Sequence, residues 1–195
     1  DWSVDVGYAR KLTDDLSVGA TARFIRSDMS GLDKDDAANA VAFDLGLYYR
    51  RNFENWEQSQ WAVGLQASNF GTKIDYGYGK YDQASKVAVG GMIDHVFTDK
   101  HRLQGTLDVV CQVLPNTNWG GSVGVEYTLL QIVAIRGGYH YGEQDNKLQR
   151  YGTLGCGVGC HHIKADFAYL IPEKDSLLKN TWQVALSFDL GLFKR

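Results

Sequence analysis

Val41-Ala42-Phe43-Asp44-Leu45-Gly46-Leu47-Tyr48-Tyr49-Arg50 places a large apolar residue at every odd position and mostly small or polar residues at the even ones. Successive side chains of a β-strand point to opposite sides, so this stretch is a strand with one apolar and one polar face. The same alternation recurs along the chain. Leu16, Val18, Ala20, Ala22 and Phe24 alternate with Ser17, Gly19, Thr21 and Arg23. Leu103, Leu107, Val109 and Val113 stand against Gln104, Thr106, Asp108 and Gln112, and Val123, Val125 and Tyr127 against Ser122, Gly124 and Glu126. Trp182, Val184, Leu186, Phe188, Leu190 and Leu192 close the pattern against Gln183, Ala185, Ser187, Asp189 and Gly191.

The pattern predicts about eleven strands. They are Trp2 to Lys11, Leu16 to Ser27, Ala40 to Arg51, Gln60 to Phe70, Lys86 to Thr98 and His101 to Leu114, followed by Trp119 to Leu129, Ile132 to Tyr141, Tyr151 to Cys160, Ile163 to Ile171 and Asn180 to Leu192. Most are about twice the usual length of a strand in a soluble sandwich. Their connections alternate. Thr13 to Asp15, Asp99-Lys100, Leu130-Gln131 and His161-His162 are tight, whereas Asp28 to Asn39, Gly71 to Ser85, Gly142 to Arg150 and Pro172 to Lys179 are longer and polar. Asn52 to Ser59 is of medium length on the short side. Long strands, with short turns at one end and long loops at the other, predict an antiparallel up-and-down transmembrane β-barrel whose short turns face the periplasm. The C-terminus is then expected in the periplasm. Barrels of this kind have an even strand number, so further strands are expected before Asp1, and three would make fourteen.

Composition agrees with an all-β chain. The 195 residues include 22 glycines and only 2 prolines, and 12% are aromatic. No stretch approaches the roughly 18 consecutive apolar residues of a membrane helix. A net charge of −3, with scattered lysines and arginines, provides no basic stripe and excludes nucleic acid as an expected partner. Residues 1–195 are expected to form a single domain. Cys156 and Cys160 share one side of a strand, about 13 Å apart by strand rise, too far for a disulfide or a shared metal ion. No catalytic constellation emerges, and neither an enzyme nor a cofactor or metal is expected.

Aromatics cluster near strand ends, at Trp2, Tyr8, Tyr48, Tyr49, Trp61, Trp119, Tyr127, Tyr139, Tyr141 and Trp182. That distribution suits two interfacial girdles, the alternative being core aromatics of a large soluble barrel. With the apolar face in lipid, the lumen holds Arg23, Asp44, Asp94, Asp108, Glu126, Arg136, Lys164, Asp166 and Asp189. These form either a polar network or direct contacts to a solute or partner. Gly152, Gly155, Gly157 and Gly159 are expected to leave one strand's inner face bare, through sheet curvature or to admit another segment. In the Gly71 to Ser85 loop, Ile74, Tyr76, Tyr78 and Tyr81 stand among charges. They are either a partner-binding surface or residues that pack on neighbouring loops.

Tyr8-Ala9-Arg10-Lys11-Leu12-Thr13-Asp14-Asp15-Leu16-Ser17-Val18-Gly19, followed by Phe24-Ile25-Arg26-Ser27, resembles the PorV/PorQ family of Bacteroidota outer-membrane proteins. Phe43 to Tyr49, Val63 to Gly71 and Arg136-Gly137-Gly138-Tyr139 resemble later strands of that family, with PorV preferred and its paralogue PorQ the alternative. The resemblance implies a fourteen-stranded barrel similar to long-chain fatty-acid transporters, at work in the type IX secretion system. It further implies a shuttle that receives cargo proteins through their C-terminal domains at the translocon pore protein and delivers them to the surface attachment complex. The alternative on the same barrel is a transporter of fatty acids or other hydrophobic solutes, which requires an apolar interior. A soluble β protein is the third reading.

Overall fold

The computed structural model describes residues 2–27, 37–56, 58–77, 79–142, 150–160, 163–173 and 181–188. Tyr78, His161, His162 and Asp189 lie outside these, as do most of the Asp28 to Asn39, Gly142 to Arg150 and Pro172 to Lys179 loops. The described residues form thirteen strands: β1 (Trp2–Lys11), β2 (Leu16–Ser27), β3 (Ala38–Asn52), β4 (Gln60–Gly71), β5 (Ile74–Asp75), β6 (Lys80–Tyr81), β7 (Lys86–Thr98), β8 (His101–Gln112), β9 (Asn118–Leu129), β10 (Val133–Gly142), β11 (Tyr151–Cys160), β12 (Ile163–Pro172) and β13 (Trp182–Phe188). Eleven make one antiparallel up-and-down sheet, in the order β1-β2-β3-β4-β7-β8-β9-β10-β11-β12-β13, while β5 and β6 make a separate hairpin. Each strand in that order pairs antiparallel with the next, the meander of an up-and-down barrel. The expected all-β fold and strand count are borne out.

Strand ends differ from the sequence reading for local reasons. β3 begins two residues early because Ser27 and Arg26 still pair with Ala38 and Asn39. β8 stops at Gln112, since the next two amides, Val113 N and Leu114 N, both donate to the Ser85 carbonyl (2.7 and 3.3 Å). The turn at Leu130-Gln131 holds both residues at positive φ (56° and 57°). That conformation lets a two-residue hairpin turn follow the right-handed twist of its strands. At Thr13 the side-chain oxygen accepts from Leu16 N (3.0 Å) and Asp15 N (3.3 Å), closing the first turn.

The residues group into two compact units. One comprises Asp1–Arg51, Ala62–Gly90 and Val109–Trp119, and the other Asn52–Trp61, Gly91–Asp108 and Gly120–Arg195. In the first, Val4 pairs with Phe24 and Val6 with Ala22, and Leu45 faces Ala20, so one face carries apolar side chains throughout. In the second, Tyr127, Ile135, Cys156, Phe167 and Val184 form one apolar row across five strands. Glu126, Arg136, Gly155, Ala168 and Gln183 form a neighbouring row on the opposite, polar face. Gly152 falls on the apolar side with Ile171 and Tyr139, so only Gly155, Gly157 and Gly159 belong to the polar face.

Exposure is inverted relative to a soluble protein. Val6 is 70% exposed, and Leu45, Ile135 and Leu186 are each 62% exposed, whereas the buried residues include Ala38, Ala40, Ala42, Ser59, Ser85 and Asp94. An apolar band of that extent is stable only against lipid or a partner. Leu186→Arg should therefore cost about 2 to 4 kcal/mol of folding stability in bilayers, where an outward arginine meets hydrocarbon. Ser187→Arg, one residue along on the polar face, should cost far less. Urea titration of refolded protein in lipid vesicles measures both, and equal losses would contradict the sidedness.

Candidate functional site

Two charged clusters on the polar face of the second unit account for most of its expected lumenal residues. Arg136 lies across β11, donating from Nε to Glu126 and from Nη1 to Asp166 Oδ1 (2.5 Å) on β12. Thr128 Oγ1 donates to Glu126 (3.2 Å), and Lys164 Nζ approaches Asp166 Oδ2 at 3.7 Å. The guanidinium crosses the glycines of β11. A Cβ on Gly157 would collide with Asp166 Oδ1 and lie 3.2 Å from Arg136 Nη1. The space left by glycine is filled by the protein's own ion pair, a role that neither curvature nor an entering segment anticipates.

The other cluster centres on Asp94, which is 2% exposed. It accepts two hydrogen bonds from Arg102, at Nε (2.7 Å) and Nη2 (2.6 Å), and a third from Gln60 Nε2 (3.0 Å). Forked pairing of this kind compensates a buried carboxylate for its lost hydration.

In the first unit, Arg23 Nε donates to Asp5 (2.8 Å), its Nη1 to Asn69 Oδ1 (2.8 Å), and its Nη2 lies 3.5 Å from Asp44. Asn69 has φ 59° within β4, and its amide donates to the Asp44 carboxylate (2.7 Å) in place of a strand carbonyl. Asp44 thus serves a bulge as well as an ion pair. Of the other expected residues, Asp108 is exposed and has no ion pair among the described residues, and Asp189 lies outside them. Asp5, Arg102, Gln60 and Asn69 were absent from the sequence reading. Strand parity marks Arg102, two residues from Gln104 on the same face. No sequence signal marks the bulge at Asn69.

The Gly71 to Ser85 segment turns back over the polar face of β3. Thr72 N donates to Val41 O (2.9 Å), and Gln83 Nε2 donates to Val41 O (3.0 Å) and Thr72 O (2.6 Å). The small side chains of Ala38, Ala40 and Ala42 make room beneath it and are buried. Tyr76 is buried as well, and its hydroxyl donates to Ser27 Oγ (3.1 Å). Ile74 is half-buried and pairs with Tyr81, which is exposed. The structure therefore divides the four residues. Tyr76 anchors the hairpin, Tyr81 presents an accessible ring, and Tyr78 lies outside the described residues. Lys73 with Asp82 (3.0 Å) and Lys80 with Asp75 (3.3 Å) brace the hairpin. The Gly77 amide, then Lys80, hold the Asp75 carboxyl below its ordinary range. A depressed carboxyl keeps its partners at neutral pH and loses them only as pH falls through the lowered value.

A recess on the polar face of the second unit is lined by Gln104, Thr106, Ser122, Arg136, His140 and Thr153, among others. Its side chains are hydroxylated, amide-bearing or charged, with His140 stacked on Tyr151 at 5.0 Å and bonded to Ser122 (2.9 Å).

The family model of the type IX secretion system protein PorV matches residues 1–118. The chain belongs to the PorV family. The match spans β1 to β8 and therefore includes the folded-back hairpin, the Arg23 cluster and the Asp94–Arg102 pair. Comparison with curated proteins finds no match. A PorV-family chain is an outer-membrane component of a secretion system and not a member of a known enzyme family, and the sequence resemblance to PorV is borne out.

Arg136 offers a direct test of the interior network. Arg136→Gln removes its charge, and Gly157→Val fills its path. Each should lower stability by about 1 to 3 kcal/mol, a range set by charged hydrogen bonds that are partly screened by exposure. Arg136→Lys should rescue only part of the loss, because an ammonium lacks the fork that spans both carboxylates. Denaturant midpoints in lipid vesicles report the three values.

Proposed function

We propose that this chain works as a single transmembrane barrel domain that shuttles secreted proteins. It binds cargo through their C-terminal domains at the type IX translocon pore protein and hands them to the surface attachment complex. The observation that carries this reading is the PorV family match over the first 118 residues. Recognition is assigned to the long-loop end, held outside the cell, with the short turns and the C-terminus in the periplasm. The loops at that end vary in length and chemistry, and connecting segments on a strand scaffold commonly carry recognition.

Within that end, the β5–β6 hairpin supplies the best recognition element. Tyr76 and Gln83 fix it to the sheet, so an exposed Tyr81 is presented with little entropy left to lose on binding. The alternative, fatty-acid or hydrophobic-solute transport, requires a continuous apolar lining. The polar face instead carries the Arg23, Asp94 and Arg136 clusters and a hydroxylated recess.

Detergent pull-down from native outer membranes, with mass spectrometry of the partners, separates the two readings. Replacing Tyr81 and Tyr78 by serine should leave a heat-modifiable barrel yet reduce recovery of the translocon pore protein and cargo severalfold. Tyr76→Phe should weaken recovery indirectly, by loosening the hairpin. Undiminished recovery from the folded double variant would remove the hairpin as the recognition surface, and absence of any secretion partner from the wild-type sample would remove the shuttle itself.

A further inference from the structure

At the short-turn end of the sheet, His95 carries an imidazole whose ring faces and Nδ1 atom both have protein partners. His95 lies near the short-turn end of β7, on the same side as Ile93 and Phe97, each more than half exposed. Its ring sits between two others, Trp56 at 4.5 Å and Phe97 at 4.4 Å, and Phe53 packs on Trp56 at 5.1 Å. Trp56 is itself about half exposed. Ser59 is fully buried, and its hydroxyl oxygen accepts a hydrogen bond from the Val96 amide (3.1 Å) while lying 3.0 Å from His95 Nδ1.

Those two contacts favour one position for the imidazole proton. A buried hydroxyl proton without an acceptor is costly, and the acceptor beside the Ser59 hydroxyl is Nδ1. In the tautomer that satisfies both contacts, the hydroxyl donates to Nδ1 and the ring carries its proton on Nε2. Among the described residues that N–H has no hydrogen-bond acceptor, and it lies beside the Trp56 and Phe97 rings at the edge of the apolar band. Aromatic side chains with one polar atom settle where hydrocarbon meets lipid head groups.

We propose that His95, with Trp56 and Phe97, is a seat for a phospholipid whose phosphate oxygen accepts the Nε2–H bond. The rings would pack on the upper acyl chains while Ser59 holds the imidazole in the donating tautomer. Ser59 is thus a positioning residue. The proposal rests on the transmembrane reading of the sheet and is independent of which secretion partners the protein carries.

Native mass spectrometry of the full chain, released from micelles doped with dimyristoylphosphatidylglycerol, tests it. Wild-type protein should retain the lipid, and His95→Phe, which keeps the ring stack but removes the donor, should reduce retention about fivefold, the value of one hydrogen bond. Ser59→Ala should reduce it as well, and nitrogen-15 spectra of the wild-type imidazole should show the Nε2-protonated tautomer. His140→Phe, on the polar face, should change nothing. Heat modifiability on gels identifies any variant that fails to fold, in which case Ser59→Ala and the tautomer decide. Retention unchanged in folded His95→Phe, retention lost equally in His140→Phe, or equal retention of a diacylglycerol lacking the phosphate would each overturn the proposal. Loss of partners in a pull-down would leave it standing.

Discussion

In hydrocarbon no water is available to backbone amides, so each must find its partner within the chain. A sheet satisfies that demand by pairing every strand with its neighbours, and the eleven-stranded meander follows from it. Side chains are then sorted by the pleat alone. Odd residues of β3 and β8 to β10 and even residues of β1, β2, β11 and β13 meet the membrane, and the intervening residues turn to the other side. Without that sorting, the exposure of Val6, Leu45, Ile135 and Leu186 would be a severe aggregation liability.

The opposite face must hold charge at low cost, and the structure does so by saturating carboxylates with guanidinium groups. Asp94 accepts three hydrogen bonds, while Arg136 bridges two carboxylates over a strand that glycine keeps clear. The Asp44 carboxylate completes a bulge at Asn69, linking the ion pair to the local course of β4. These arrangements make the face polar, which does not suit a conduit for greasy molecules. In the Gly71 to Ser85 segment, the β5–β6 hairpin is pinned by Tyr76 and Gln83.

Strand periodicity made most of this legible. β1, β2, β7 and β11 begin and end where alternation starts and stops, and Arg23, Asp44, Glu126, Arg136, Lys164 and Asp166 lie on the face that parity assigns. Side-chain reach was not legible. Which acid Arg136 touches depends on stagger across three strands, and Gly152 broke the expectation because one residue of offset reverses a face. The burial of Tyr76 was equally hidden, since a loop that folds back and one that projects have the same composition. Ser59, just before β4, meets His95 of β7 from 36 residues away in sequence, and no motif connects them.

The sidedness of the sheet is the central claim, and spin-label accessibility measures it most directly. With Cys111, Cys156 and Cys160 replaced by serine, labels at 184, 185, 186 and 187 of β13 would be read in lipid vesicles. Molecular oxygen should reach 184 and 186 preferentially, and a water-soluble nickel chelate should show the opposite preference for 185 and 187. A two-residue period in both reagents is the predicted result. Uniform access of the nickel chelate to all four positions would contradict it and place the apolar face outside the membrane.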